Sequence, residues 1–211
     1  TDPVKIKMNE MLDEAIETIF LHPSSSRNKE ALKQREVLEK LGEANNGDAC
    51  YLAGRTWFGS SCVPPCLDLG EDGDRGFEWM LKGMRLDSPL AIVGGFRMCD
   101  ILEVGECIQN TSYASKLDIF DAVYRKALSG DLIAAYVVGN ACYWQDLFYF
   151  FAFNMDEDAE HESSLIAAYL YEKLWQAGCG IANGNYKKIF SSGKYGIPVD
   201  EDMIAHINSM A

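Results

Sequence analysis

The chain has 211 residues, 48% apolar and 11% aromatic, with 32 acidic and 19 basic side chains and a formal net charge of −13. That composition excludes a disordered acidic tail and supplies a sizeable core in one continuous body without metals or disulfides. The apolar runs at 132–138 and 147–153 are seven residues each, far below the ~18 that a membrane-spanning helix needs.

Charge is concentrated, with residues 43–163 holding −12 of the −13. Such a field repels nucleic-acid phosphates and anionic lipid heads, so no nucleic acid and no membrane is expected as a partner, and a basic or amphipathic protein is.

The first segment, VKIKMNEMLDEAIETIFLH (4–22), spaces Met8, Met11, Leu12, Ala15, Ile16, Ile19 and Phe20 at a helical period and lacks the unbroken apolar stretch of a signal peptide. It predicts a helix that caps the open end of the first helix pair, with HPSSSRNKE (22–30) joining the two. Residues 1–27 are read as this cap and linker.

From residue 28 onward the chain repeats. EVLEKLGEAN (36–45), EWMLKGMRLD (78–87), AVYRKALSG (122–130) and YLYEKLWQAG (169–178) align with Lys40, Lys82, Lys126 and Lys173 at one position. Leu38, Met80, Tyr124 and Tyr171, all bulky, stand two residues before those lysines. Phe77/Met80/Leu81/Met84, Phe120/Val123/Tyr124/Ala127/Leu128 and Ala167/Leu170/Tyr171/Leu174/Trp175 follow the helical i, i+3, i+4, i+7 period. Each segment is followed by a turn signal and a second helix of smaller residues: 45–59, 86–105, 130–144 and 178–193. Ala49, Gly54, Gly94, Gly95, Ala134 and Gly139 are the small residues expected where two helix backbones approach closely.

A lone helix pair cannot bury its apolar face, so pairs stack. The predicted fold is all-α, an α-solenoid of about four antiparallel helix pairs over 28–211, closed by a helix in IPVDEDMIAHINSMA (197–211).

These residues resemble the Sel-one-like repeats, relatives of the tetratricopeptide repeat with a longer loop between the paired helices. YEKLWQAG (171–178) is similar to the first-helix pattern of that family, GDLIAAYVVGNACY (130–143) to the second, and YGIPVD (195–200) to its loop signature. The resemblance covers roughly residues 28 to 202 and implies a non-enzymatic adaptor for protein complexes. Three loops depart from the family pattern: 60–74 is lengthened, 105–113 has lost the signature, and 145–162 is lengthened and unusual in composition. Secreted members link successive helix pairs with cysteines eight apart, a spacing found here only at Cys99 and Cys107.

The third loop carries the candidate interface. Tyr143, Trp144, Phe148, Tyr149, Phe150, Phe151 and Phe153 cannot all face inward from one helix, and the acidic run Asp156, Glu157, Asp158, Glu160 and Glu162 comes directly after them. Trp144, Tyr149 and Phe151 are the expected apolar anchors, and Asp156, Glu157 and Asp158 the electrostatic part. The competing expectation is a long helix whose aromatics pack on the next repeat and on a folded loop.

Other chemistry is weakly signalled. Seven cysteines, an odd count in apolar helical segments, read as small buried hydrophobes of a reducing cytoplasm, the expected location. Cys62 and Cys66 lie in a loop, where a disulfide, a metal or an enzymatic role is the alternative; zinc would need two more ligands, and no second C-x-x-C or C-x-x-H occurs. DLGEDGDRGFEW (68–79) has a calcium-loop look, but Trp79 stands where a bidentate Glu is required. His22, His161 and His206 lie apart and no catalytic signature is present. No cofactor and no catalytic residue is expected. An immunity-type inhibitor that covers a basic toxin or nuclease with carboxylates is the second reading.

Overall fold

Asp, Ser and Asn at the turn signals do what their short side chains favour. Asp2, Asn46, Asp72, Ser88, Asp100, Ser115, Asp131, Asp156 and Asp200 each accept a hydrogen bond from a backbone N–H of the helix turn next in sequence. In the computed structural model, which describes residues 1–152 and 156–210 and only the backbone of Lys194, these caps start nine of the twelve α-helices. No strand occurs among the described residues; one isolated bridge pairs Phe58 with Glu71. No helix among them is long and apolar enough to cross a membrane.

The chain divides into two compact units, Thr1–Ala114 and Ser115–Ala211. In the first, α1 (Pro3–Ile16) runs on through a π-helical turn, Glu17–Leu21, and packs on α2 (Asn28–Glu43). Then α2 packs on α3 (Gly47–Arg55), and α3 on α4 (Gly73–Arg85), so α3 lies between α2 and α4. Leu38, Leu52, Tyr51, Met80 and Met84, none measurably exposed, form the core of this unit.

The segment predicted as one second helix over 86–105 is instead two, α5 (Pro89–Gly95) and α6 (Ile101–Gln109). Gly94 and Gly95 end the first of them: a Cβ on Gly94 would enter the Tyr51 ring, and one on Gly95 would stand 2.5 Å from Cε of Met84. Asp100, extended at φ −60 and ψ 130, then accepts from the amides of Leu102 and Glu103 and starts afresh. The loop expected at 105–113 is therefore helical as far as Gln109.

In the second unit α8 (Leu132–Tyr143) is buried along nearly its whole length, as an all-round apolar helix must be. It lies against α7 (Lys116–Leu128) and α10 (Glu157–Gln176). A Cβ on Gly139 would stand 2.8 Å from Cε1 of Tyr171, which is how α8 and α10 come so close. The predicted loop 145–162 contains α9 (Asp146–Phe151) and the first turns of α10. Beyond α10 come α11 (Asn183–Ser191) and α12 (Glu201–Asn208), the latter at the expected closing helix. Trp175 donates its Nε1–H to the carbonyl of Ile207 at 3.1 Å, and the carboxylate of Glu172 takes the Tyr186 hydroxyl at 2.6 Å and lies 3.1 Å from Nε2 of His206. One carboxylate thus joins α10, α11 and α12.

Candidate protein interface

The aromatic run divides by burial. Trp144 caps the end of α8 and is 48% exposed, its ring edge-on to Tyr143 at 4.8 Å, and Tyr149 on α9 is 67% exposed. Phe148 and Phe150 are buried. Phe151 is half-buried, edge-on to Phe120 at 5.8 Å and to Phe150 at 4.9 Å, and so already has partners within the fold. Phe153 lies outside the described residues. α9 is bracketed by Gln145 at φ 61 and Ala152 at φ 54, left-handed positions that cost a residue with a Cβ about 1 kcal/mol each.

The acids next in sequence have local work. Asp156 accepts from the Ala159 amide at 2.8 Å as the N-cap of α10, and Glu157 and Asp158 occupy its first turn, where the helix dipole favours negative charge. All three carboxylates are exposed. The six predicted residues therefore sit at the end of α8, on α9 and at the start of α10.

A second constellation, not anticipated from sequence, lies in the first unit. Glu39 and Glu43 of α2 and Asp72, Asp74, Arg75, Glu78, Trp79 and Lys82 at α4 line a cleft of about 620 Å³. Glu39 organises it: its Oε2 is 2.5 Å from Nη2 of Arg75 and takes the Trp79 Nε1–H at 3.2 Å. Arg75 in turn lies 4.4 Å from the centroid of Trp57, on which Arg35 also stacks at 3.7 Å. Arg35 donates to the carbonyl of Leu69, and burial pulls its guanidinium below the ordinary value, opposed by Glu39 and abetted by Arg75. Nζ of Lys82 sits 5.4 Å from the Trp79 ring centroid.

Five carboxylates thus face two cations, and Glu43, Asp74 and Glu78 are exposed. Such an arrangement attracts a cationic side chain and offers an indole face beside it. The signal in sequence is faint: Glu39/Glu43 and Glu78/Lys82 are i, i+4 pairs, within aligned segments, and that spacing also describes an ordinary solvated helix face.

No disulfide joins any of the cysteines among the described residues. Cys62 is buried with Sγ 3.7 Å from Sδ of Met98, and Cys66 is exposed. Burial pushes the thiols of Cys50 and Cys99 up to about 11 and that of Cys142 up to about 12, opposite to what a nucleophile needs. No group of three or more His, Cys, Asp or Glu among the described residues is placed to hold a metal ion. In the calcium-like stretch, the backbone of Asp68 exchanges two hydrogen bonds with the Asn28 amide, at 2.8 and 2.9 Å, and Asp72 caps α4. The histidines lie in three local contacts: His22 with Glu17, His161 with the Tyr195 carbonyl at 2.8 Å, and His206 with Glu172.

Compared with known proteins, the chain matches no family model, no curated protein and no solved structure.

Proposed function

We propose that the chain is a non-enzymatic scaffold, an α-solenoid of Sel-one-like helix pairs, that holds a basic segment of a protein partner in the cleft between α2 and α4. The observation that carries this reading is the cleft: five carboxylates around the Trp79 indole, with Arg75 and Lys82 the cations among its lining residues. The repeat reading is supported by the alternation of first and second helices within each unit, and by Leu38, Met80 and Tyr171, aligned in sequence and all fully buried. Trp144 and Tyr149, exposed in the second unit, remain as further anchors for the same or another partner.

The test is a comparison of captured proteins between the unaltered chain and the triple variant Glu43→Gln, Asp74→Asn, Glu78→Gln. These three side chains are exposed, so the variant folds; Glu39 is left alone because it holds Arg75 and Trp79. A basic partner that salt releases from the unaltered chain should bind the variant at least about tenfold more weakly. An unchanged set of captured proteins overturns the cleft as the site. The inhibitor reading rests on the same carboxylates and separates from the adaptor by its outcome: a single basic partner whose own activity is abolished on binding.

A further inference from the structure

We propose that the second unit carries a docking surface of its own, the outer stripe of α10, and that its occupant is an amphipathic helix of a partner protein with one basic end. Asp158, Glu162, Leu165 and Tyr169 stand at i, i+4, i+7 and i+11, one line along α10, and all four are exposed, Leu165 to 45% and Tyr169 to 54%. Folding uses the opposite side of the helix, where Ala167, Leu170, Tyr171 and Leu174 are buried. On α7 the same spacing recurs in Leu117, Asp121, Tyr124 and Leu128, with Leu117 64% and Leu128 43% exposed. Both helices pack on α8. Phe120 stacks on Tyr124 at 5.4 Å, and Phe151 meets Phe120 edge-on, joining α7 to α9.

The surface has a direction. On α10 the carboxylates, Asp158 and Glu162, lie at the N-terminal end; the apolar middle is Leu165 and Tyr169; and Lys173, with Nζ 4.9 Å from the Tyr169 centroid, closes the other end. Asp158 to Tyr169 spans about 16 Å of helix, three turns, the length over which a partner helix presents an i, i+3/i+4, i+7 set. Charge complementarity then places the occupant's basic end over Asp158 and Glu162 and keeps it away from Lys173. The surface shares no residue with the α2–α4 cleft, so each stands or falls alone.

The probe is a synthetic helical peptide of about five turns with leucines along one face, lysines at one end and a photoreactive group beside them. Its controls are the same peptide with glutamates for lysines, the double variant Leu165→Ala/Tyr169→Ala, the variant Asp158→Asn/Glu162→Gln, and the cleft variant Glu43→Gln/Asp74→Asn/Glu78→Gln. The lysine peptide should bind the unaltered chain and label α10 in its first half. Leu165→Ala/Tyr169→Ala should weaken it at least about tenfold, Asp158→Asn/Glu162→Gln should remove most of the salt dependence, and the cleft variant should bind it unchanged. Equal binding of the glutamate peptide, undiminished binding by Leu165→Ala/Tyr169→Ala, loss of binding by the cleft variant, or no binding at millimolar peptide each overturns the proposal. So does self-association of the unaltered chain in sedimentation that Leu165→Ala/Tyr169→Ala abolishes, because the occupant is then a second copy.

Discussion

Gly54 of α3 rests on Gly76 of α4: a Cβ on Gly54 would stand 2.7 Å from the Gly76 carbonyl oxygen and 2.7 Å from Cγ of Met80. Neither obstacle can yield cheaply, because one is backbone and the other belongs to a fully buried side chain. Gly54→Ala should therefore lose about 1–3 kcal/mol to overpacking, against a helix-propensity gain of about 1 kcal/mol. Gly105 in α6 has nothing within 4 Å of its would-be Cβ, and Gly105→Ala should stabilise by up to about 1 kcal/mol. Urea unfolding of the pair gives opposite signs if close approach, and not turn geometry, is why glycine stands at position 54.

Tyr171 is fully buried on α10, and its hydroxyl donates to Oδ1 of Asn140 at 2.7 Å. Tyr171→Phe keeps the ring and leaves the Asn140 oxygen without that donor, so it should cost about 1–3 kcal/mol in thermal or urea unfolding. Tyr149→Phe, at an exposed position, should leave the transition where it was.

Thiol chemistry should separate one cysteine from six. Cys66 is exposed and the others are buried, so a maleimide in excess should modify one thiol rapidly in the native chain and seven in denaturant. Two fast thiols would contradict this packing.

The same burial makes the fold sensitive to alkali. Cys50 and Cys99 ionise only near about 11 and Cys142 near about 12 when folded, whereas an unfolded thiol does so near about 8.5. Above that value the unfolded chain gives up protons that the folded chain keeps. Stability is thus unaffected by these groups below pH ~8.5 and falls as pH rises above it, by about 1.4 kcal/mol per thiol per pH unit. Urea midpoints taken between pH 8 and 10 should fall, and Cys142→Ala should flatten the slope without abolishing it, since burial raises Cys50, Cys99 and Cys107 as well.

Asp156 and Asp158 are two residues apart and should answer differently. Asp156→Ala removes the N-cap of α10 and should cost about 1 kcal/mol of stability. Asp158→Asn should leave stability nearly unchanged while weakening attraction for the lysine peptide. Circular dichroism melts and peptide titrations on the same two variants check both halves.

The features legible along the chain are those that depend on neighbours within a turn or two. The helical periods, the Asp and Ser caps, the aligned Leu38, Met80 and Tyr171, and the small residues at Gly54 and Gly139 are of this kind, because helix propensity, capping and amphipathicity act locally. The break at 96–100 is harder to read, since an unbroken apolar period runs through it and the Gly94 and Gly95 contacts with Tyr51 and Met84 come from other helices.

The candidate interface depends on pairing at a distance. Glu39 meets Arg75 and Trp79 across 36 and 40 residues of sequence, and nothing in the local pattern of either helix distinguishes those groups from a solvated face. Likewise Phe148 and Phe150 turn inward while Tyr149 turns out, an outcome set by which sides of α9 its neighbouring helices cover. Composition and period determine that this chain is helical and acidic. Which carboxylates converge, and which aromatics are left in water, is decided only by how those helices pack, because burial is a property of the assembled surfaces and not of any one of them.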